Sequence, residues 1–456
     1  MPRYDLIVRN GTVVTEWEAT PADVAVADGH IAAVGPELAD AAAEEIVLPS
    51  GAIVLPGLID PHVHFNEPGR AGWEGWQTGS AALAAGGATA CFDMPLNAHP
   101  PTLDAASFAE KRRLAEASSC VDFALWGGLT PANLDALEAL AEEGAIGFKA
   151  FMSSAGTDDF PYADDDTLLR GMAIAARLDL PVAVHAENET LTRALADRAR
   201  REGRTGWRDY LQSRPIVAEV EAIGRAIAFA EETECRLHIV HVSTGRGVAQ
   251  VAAARERGVD VTCETCPHYL VFAEEDVERI GALAKCAPPI RDGATRDDLW
   301  SALLAGEIDL LASDHSPAPP AMKAGDDAFA AWGGISGCQH ALPVILTEGD
   351  RHGLALSRIA ALVAGNVADR FRVAGKGRIA VGNDADLSWV MRVDGWNPIP
   401  AAGVRYRHPA SVWDDVPLGY RVLGTIRRGE TIFREGVVSD RAGGRLLRPV
   451  SPGHGV

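Results

Sequence analysis

The sequence predicts an α/β chain: a TIM-like (β/α)8 barrel carrying a small β-sandwich domain formed from both chain termini. Three observations predict it. Eight short apolar runs alternate with amphipathic stretches through the middle of the chain. Residues of metal-ligand type stand at the ends of several of those runs, and both termini are rich in short strands and turns. Strand ends meet at one face of such a barrel, so side chains placed there converge on one site.

A length of 456 residues exceeds one small core and suits a large barrel with an appended domain. The expected divisions are residues 1–56 and 371–456 for the β domain and 57–370 for the barrel. Within 4–55, three strand-and-turn stretches follow one another (DLIVRNGTVV, DVAVADGHIAAVG, EIVLPSGAIVLPG), with Asn10-Gly11 and Asp28-Gly29 as hairpin signals. The eight barrel strands are then LIDPHVHF, ATACFDMP, DFALWGGL, IGFKAFM, PVAVHAE, RLHIVHVS, DVTCETCP and DLLASDHSP. Helices are expected at 104–117, 131–143, 166–178, 188–202, 215–232 and 245–257. Thr130-Pro131 and Thr244 supply start signals for two of them. Segments 385–391, 421–427 and 431–438 read again as strands. A doubly wound open sheet is the alternative, but no Gly-rich phosphate loop follows the first strand.

Composition narrows the function. The net charge of −21 repels phosphate backbones, so nucleic acid is not an expected partner. No apolar stretch reaches the roughly 20 residues of a membrane span, and the N-terminus lacks a secretory pattern. No membrane partner is expected, and the cytoplasm is the expected compartment. Seven scattered cysteines do not form a secreted disulfide framework. Cys263-x-x-Cys266 has redox or zinc spacing, but without a second pair the signal is weak.

The chemistry sits at the strand ends. His62 and His64 are two apart on a strand, so both imidazoles face one way and can grip one ion. The bland alternative is a pair of hydrogen-bonded interior histidines. Lys149 lies in AIGFKAFM, where a buried ammonium must be paired or chemically altered. One outcome is a carbamate, whose two oxygens suit bridging two cations; the other is a salt bridge to a buried Asp such as Asp93. His185, His241 and Asp314 each close an apolar run. Together they complete a ligand set for two divalent ions, which can hold a bridging hydroxide at neutral pH, with Asp314 as the proton shuttle. Zinc is the leading expectation; cobalt, manganese and iron accept the same donors. His238 is expected to face away and pack under a helix. His268 and His315 adjoin the site and are candidates for substrate contact. Trp73 and Trp76 either rim a pocket or shield the barrel mouth.

Taken with PGLIDPHVHF, AAGGATACFDMP, GFKAFM, VHAEN, IVHVST, ETCPHYL, KCAPPIRD, SDHSP and VGNDADL, nearly the whole chain resembles the cyclic amidohydrolases. That group includes dihydroorotases, hydantoinases or dihydropyrimidinases, and allantoinases. The resemblance implies a barrel with a small β domain and two divalent ions bridged by a carboxylated lysine. By motif, the ligands fall on His62, His64, Lys149, His185, His241 and Asp314. It also implies a small cyclic ureide as substrate and a homo-oligomer, commonly a tetramer. Dihydroorotases carry Arg two residues after the second His; this chain has Asn66, which removes a carboxylate clamp and suits an amide-rich ring. WEGW and AWGGISG resemble the allantoinase branch, and Ser153-Ser154 stand where hydantoinases place a Tyr. The resemblance therefore implies opening of the hydantoin ring of allantoin to allantoate, with hydantoinase- or dihydropyrimidinase-type hydrolysis or a catalytically silent scaffold as alternatives. Asn66, Asn97, Ser153, Ser154, His315, Gly333 and Gly334 are the expected substrate contacts. Ala287 joins them, replacing a Ser of the allantoinase pattern.

Overall fold

The computed structural model describes residues 3–395 and 397–450. All eight predicted runs form parallel strands. Leu58–Val63, Ala88–Asp93 and Asp122–Leu125 pair in that order. Gly127–Gly128 carries the third strand onward to Phe148–Phe151, followed by Val182–His185, Leu237–Ile239, Val261–Thr265 and Leu310–Leu311. A bridge between Val63 and His315 closes the ring, and the His64 N–H donates to the His315 carbonyl at 2.8 Å. The first strands are buried on both faces, as parallel strands wrapped by helices must be.

Capping side chains set where several outer helices begin. Asp104 accepts the Ser107 N–H ahead of Ala105–Ser118, Asp164 the Thr167 N–H ahead of Asp165–Arg177, and Asn188 the Leu191 N–H ahead of Glu189–Arg201. Thr244 caps Gly245–Glu256, as its position predicts. Thr130-Pro131 behaves differently. Asn133 Oδ1 accepts both the Thr130 N–H and its hydroxyl at 2.9 Å, which holds a turn, and the α-helix runs only over Leu137–Glu143.

The termini together form the expected small β domain, in which nine strands are joined by hydrogen bonds. Tyr4–Val14 pairs Ala19–Ala27 on one side and both Ala42–Val47 and Ile53–Pro56 on the other. Ile53–Pro56 also pairs antiparallel with Leu387–Arg392, so it joins the N-terminal strands to the C-terminal ones. Both limbs share an apolar cluster that includes Val24, Ile31, Val54, Trp389 and Ile426. Asp28-Gly29 makes the predicted hairpin, both residues at positive φ. Asn10-Gly11 instead makes a bulge inside a strand. Asn10 has φ 65°, its N–H donates to Asp23 Oδ1 at 3.1 Å, and a Cβ on Gly11 would lie 2.6 Å from Val54 Cγ2.

The sheet is bonded to the barrel by buried charge. Asp122, Asp384 and Asp386 come close enough to suggest a cation site, but the Lys376 ammonium reaches all three, at 2.7, 2.8 and 2.6 Å. Among the described residues no helix is long and apolar enough to cross a membrane.

Candidate metal centre and substrate pocket

Four imidazoles converge at the C-terminal face of the barrel. His62 and His64, from the first strand and its end, have ring centroids 5.4 Å apart; His62 and His241 are also 5.4 Å apart, and His185 and His241 4.8 Å. His185 Nδ1 and His241 Nε2 approach to 3.1 Å. From the eighth strand, Asp314 Oδ1 comes within 3.3 Å of His62 Nε2 and 3.6 Å of His64 Nε2. His62, His64 and Asp314 thus form one buried group of metal-ligand geometry.

Lys149 is fully buried, and its Nζ has no hydrogen-bond partner among the described residues. The Asp93 alternative fails because that carboxylate is taken: Oδ2 accepts Lys111 Nζ at 2.6 Å and Oδ1 the Phe65 N–H at 2.7 Å. Burial lowers the Lys149 pKa to about 7, against the opposing pull of Glu264 and Asp314. The His241 Nδ1 is likewise buried without a partner. An orphaned amine among imidazoles and a carboxylate is a poor interior and a good donor set, so the residues fit a metal centre.

Burial holds the His64, His185 and His241 pKa values below the ordinary imidazole range, which keeps those rings neutral and able to bind metal. Burial also works against ionised Asp314, but His62, His64 and His241 outweigh it and keep the carboxyl well below its usual range. Four non-glycine residues here occupy the left-handed region: Asn66 (φ 64°), Asn97 (64°), His241 (40°) and Asp314 (45°). Such backbone is costly and is found where function demands an aim the ordinary regions do not give.

Carboxylates behind the rings fix their orientation, and sequence reasoning missed them. Glu264 Oε1 lies 2.6 Å from His62 Nδ1, which turns Nε2 inward. The other Glu264 oxygen meets His238 Nε2 at 3.1 Å, and His238 Nδ1 meets Thr262 Oγ1 at 2.9 Å. His238 therefore supports the site, besides packing edge-on to Phe371. Although burial favours neutral Glu264, His62 and His238 hold its pKa at about 2. Glu187 Oε2 meets His185 Nε2 at 2.9 Å and pairs with Arg214. The available signal was an acidic residue inside an apolar run, which must find a partner.

The expected substrate contacts divide. Asn66 keeps both amide atoms buried and unpartnered; the Asn97 Oδ1 and Ser153 Oγ are also unpartnered, and Asn97 Nδ2 lies 3.5 Å from His64 Nδ1. Ala287 lies between two anchored carbonyls, that of Cys286 taking the Tyr210 hydroxyl at 2.8 Å and that of Pro288 the Tyr269 hydroxyl at 2.7 Å. Gly333 and Gly334 follow Trp332, whose ring meets Trp73 edge-on at 5.0 Å. Ser154 is exposed and occupied locally: its N–H donates to Glu189 and its hydroxyl accepts the Gly156 N–H. His315 alternates with Asp314 and so faces elsewhere. Its ring packs beside Phe65 and Tyr406, Nδ1 accepts the Gly337 N–H at 3.1 Å, and Nε2 lies 3.4 Å from Glu74. Trp76 is wholly buried against Phe65 and Phe123 and rims nothing. His268 leaves both ring nitrogens buried and unpartnered. Cys263 and Cys266 are buried free thiols whose pKa values burial raises, and neither belongs to a metal-ligand group among the described residues.

A closed parallel barrel, with imidazoles and a carboxylate at its C-terminal mouth and a sheet from both termini, defines a metal-dependent hydrolase architecture. The sequence pattern of the Amidohydrolase family matches residues 53–432, and the chain belongs to that family. Over 450 residues it is 58% identical to the allantoinase of Rubrobacter xylanophilus, covering 98% of each chain. It is 54% identical to the allantoinase of Solibacter usitatus, covering 98% of this chain and 97% of that one. Among solved structures, the L-hydantoinase (dihydropyrimidinase) from Arthrobacter aurescens superimposes with a TM-score of 0.94 at 34% identity, covering 98% of this chain and 100% of that one.

Proposed function

We propose that this protein hydrolyses allantoin, opening its hydantoin ring to allantoate. The 58% identity to the Rubrobacter allantoinase over almost the full length of both chains carries that choice of substrate. In this reading His62, His64, His185, His241, Asp314 and carboxylated Lys149 hold two divalent ions, zinc first, with cobalt, manganese or iron as substitutes. Ions bound there supply Lewis acidity to the ring carbonyl and lower the pKa of water.

The chain's own residues do the rest. Asp314, ionised and bonded by Ser316 Oγ at 2.9 Å, takes the proton from the attacking water and returns it to the departing ring nitrogen. Asn66, Asn97 and Ser153, with backbone near Gly333-Gly334, hold the ring and ureido amides. Glu264 and Glu187 keep His62 and His185 from rotating.

Hydantoinase-type hydrolysis is the second reading, favoured by the backbone likeness to the Arthrobacter enzyme. Assay of the metal-loaded protein with allantoin, hydantoin, dihydrouracil and dihydroorotate separates the two. Allantoin should have the highest kcat/KM; a preference for hydantoin or dihydrouracil overturns the proposal. The assembly we propose, by family resemblance, is a homotetramer, which light scattering after size exclusion measures.

A further inference from the structure

Two lysines at the mouth of the barrel are engaged in an unusual way. Lys323 donates from one ammonium to three main-chain carbonyls: Ala282 at 3.2 Å, Trp332 at 3.3 Å and Gly334 at 2.6 Å. Lys285, buried beside the Tyr210 ring at 4.6 Å, donates to the Ala331 carbonyl, and its own carbonyl accepts the Gly334 N–H at 2.7 Å. Neither ammonium has a carboxylate at ion-pair distance among the described residues, although the chain holds 63 acidic groups. The charged and titratable groups facing Lys285 are Arg214, Lys323, Arg200 and Asp327, and those facing Lys323 are Lys285 and the Cys286 thiol. Removing a cation from water without a counter-charge is costly, so carbonyls held this way are held firmly.

The consequence falls on one amide. In a trans peptide the C=O and the following N–H point in opposite directions. With the Trp332 carbonyl turned to Lys323, the Gly333 N–H is turned away from it. That N–H has no partner among the described residues, and a Cβ on Gly333 would meet nothing closer than 3.8 Å. Gly334, at φ +121° with the space for a Cβ filled by the Ser316 carbonyl, lets the strand end carrying Asp314 and this segment run side by side. We propose that Lys285 and Lys323 are positioning residues that clamp the 331–334 backbone so that the Gly333 N–H is presented to a carbonyl oxygen of the substrate. This deepens the allantoin reading and rests on it for the identity of the substrate.

Burial lowers the Lys285 pKa to about 7 and that of Lys323 to about 8, so the clamp loses charge as pH rises through that range. The test compares the metal-loaded parent with Lys285→Met, Lys323→Met and Lys323→Arg. Two readings are taken: hydrogen exchange of residues 328–336 without substrate, and KM and kcat for allantoin. Each methionine variant should lose about tenfold of exchange protection and raise KM about tenfold, with kcat within about threefold. Lys323→Arg should recover part of both. The parent KM should climb above about pH 8, and less steeply in each methionine variant, which keeps only one titrating lysine. Unchanged exchange in both methionine variants overturns the clamp, whatever the substrate; changed exchange with unchanged KM overturns its link to binding. If the parent does not turn over allantoin, the substrate reading fails, and the exchange measurement alone decides the clamp. Should a methionine variant not fold, Lys→Gln at the same position, which keeps a neutral donor, is read in the same way.

Discussion

His62 Nδ1 and Glu264 Oε1 stand 2.6 Å apart, 202 residues distant in the chain, with both side chains buried. A carboxylate in that place fixes the tautomer of the ring and strengthens its other nitrogen as a donor. Glu264→Gln should weaken metal retention about 10- to 100-fold, read as metal content after dialysis against a graded chelator. Added metal should restore most turnover. Parent-like metal content in the variant would show that the contact does not tune the centre.

Asp314 is the group assigned to proton transfer. Asp314→Asn keeps the shape and loses the base, so kcat should fall roughly 10²- to 10⁴-fold while most of the metal remains. Comparable turnover would remove Asp314 from the mechanism.

The Lys149 amine has no hydrogen-bond partner among the described residues. Lys149→Ala should abolish turnover and lower metal content, and short carboxylic acids added to the buffer should restore a fraction of both. Reconstitution of the metal-free parent should run faster with bicarbonate. A rate that ignores bicarbonate argues against the carbamate.

Lys111 and Asp93 form a fully buried pair at 2.6 Å, and Asp93 also receives the Phe65 N–H next to His64. Lys111→Met leaves a buried carboxylate unpaired, at a cost of about 3–5 kcal/mol. Thermal and urea unfolding check the value. Asp93→Asn combined with Lys111→Met should recover part of the loss.

His340 is buried, with Nδ1 2.7 Å from the Tyr406 hydroxyl. Burial, then the nearby His315, push its pKa down to about 3. The unfolded chain protonates it near its ordinary value of 6.5, so the unfolded state holds more protons between those limits. The His340 contribution is therefore complete above the unfolded value and is lost as pH falls toward the folded one. Between about pH 7.5 and pH 5 it should remove ~2 kcal/mol of stability. His340→Asn should flatten that slope in urea midpoints; an unchanged slope assigns the acid sensitivity elsewhere.

Much of this architecture was legible because apolar runs and their punctuation speak locally. All eight strands follow from short apolar runs, and the candidate ligands His62, His64, His185, His241, Lys149 and Asp314 from their place in or just after those runs. What stayed hidden depends on neighbours far along the chain. Glu264 meets His62 only because the seventh strand comes round to the first strand's end. Asn10-Gly11 has hairpin chemistry, but Asp23 and Leu48 use the Asn10 groups to hold a bulge. His315 sits beside a reactive position, yet alternation along the strand turns it toward Glu74. No local signal says that Ile53–Pro56 serves partners from both termini.

That shared strand has a consequence for biosynthesis. As the polypeptide leaves the ribosome, Ile53–Pro56 presents an open edge until Leu387–Arg392 has been translated, and the whole barrel is made in between. The nascent N-terminal limb must spend that interval with unsatisfied backbone, a state that invites capture by chaperones and pairing with the wrong neighbour.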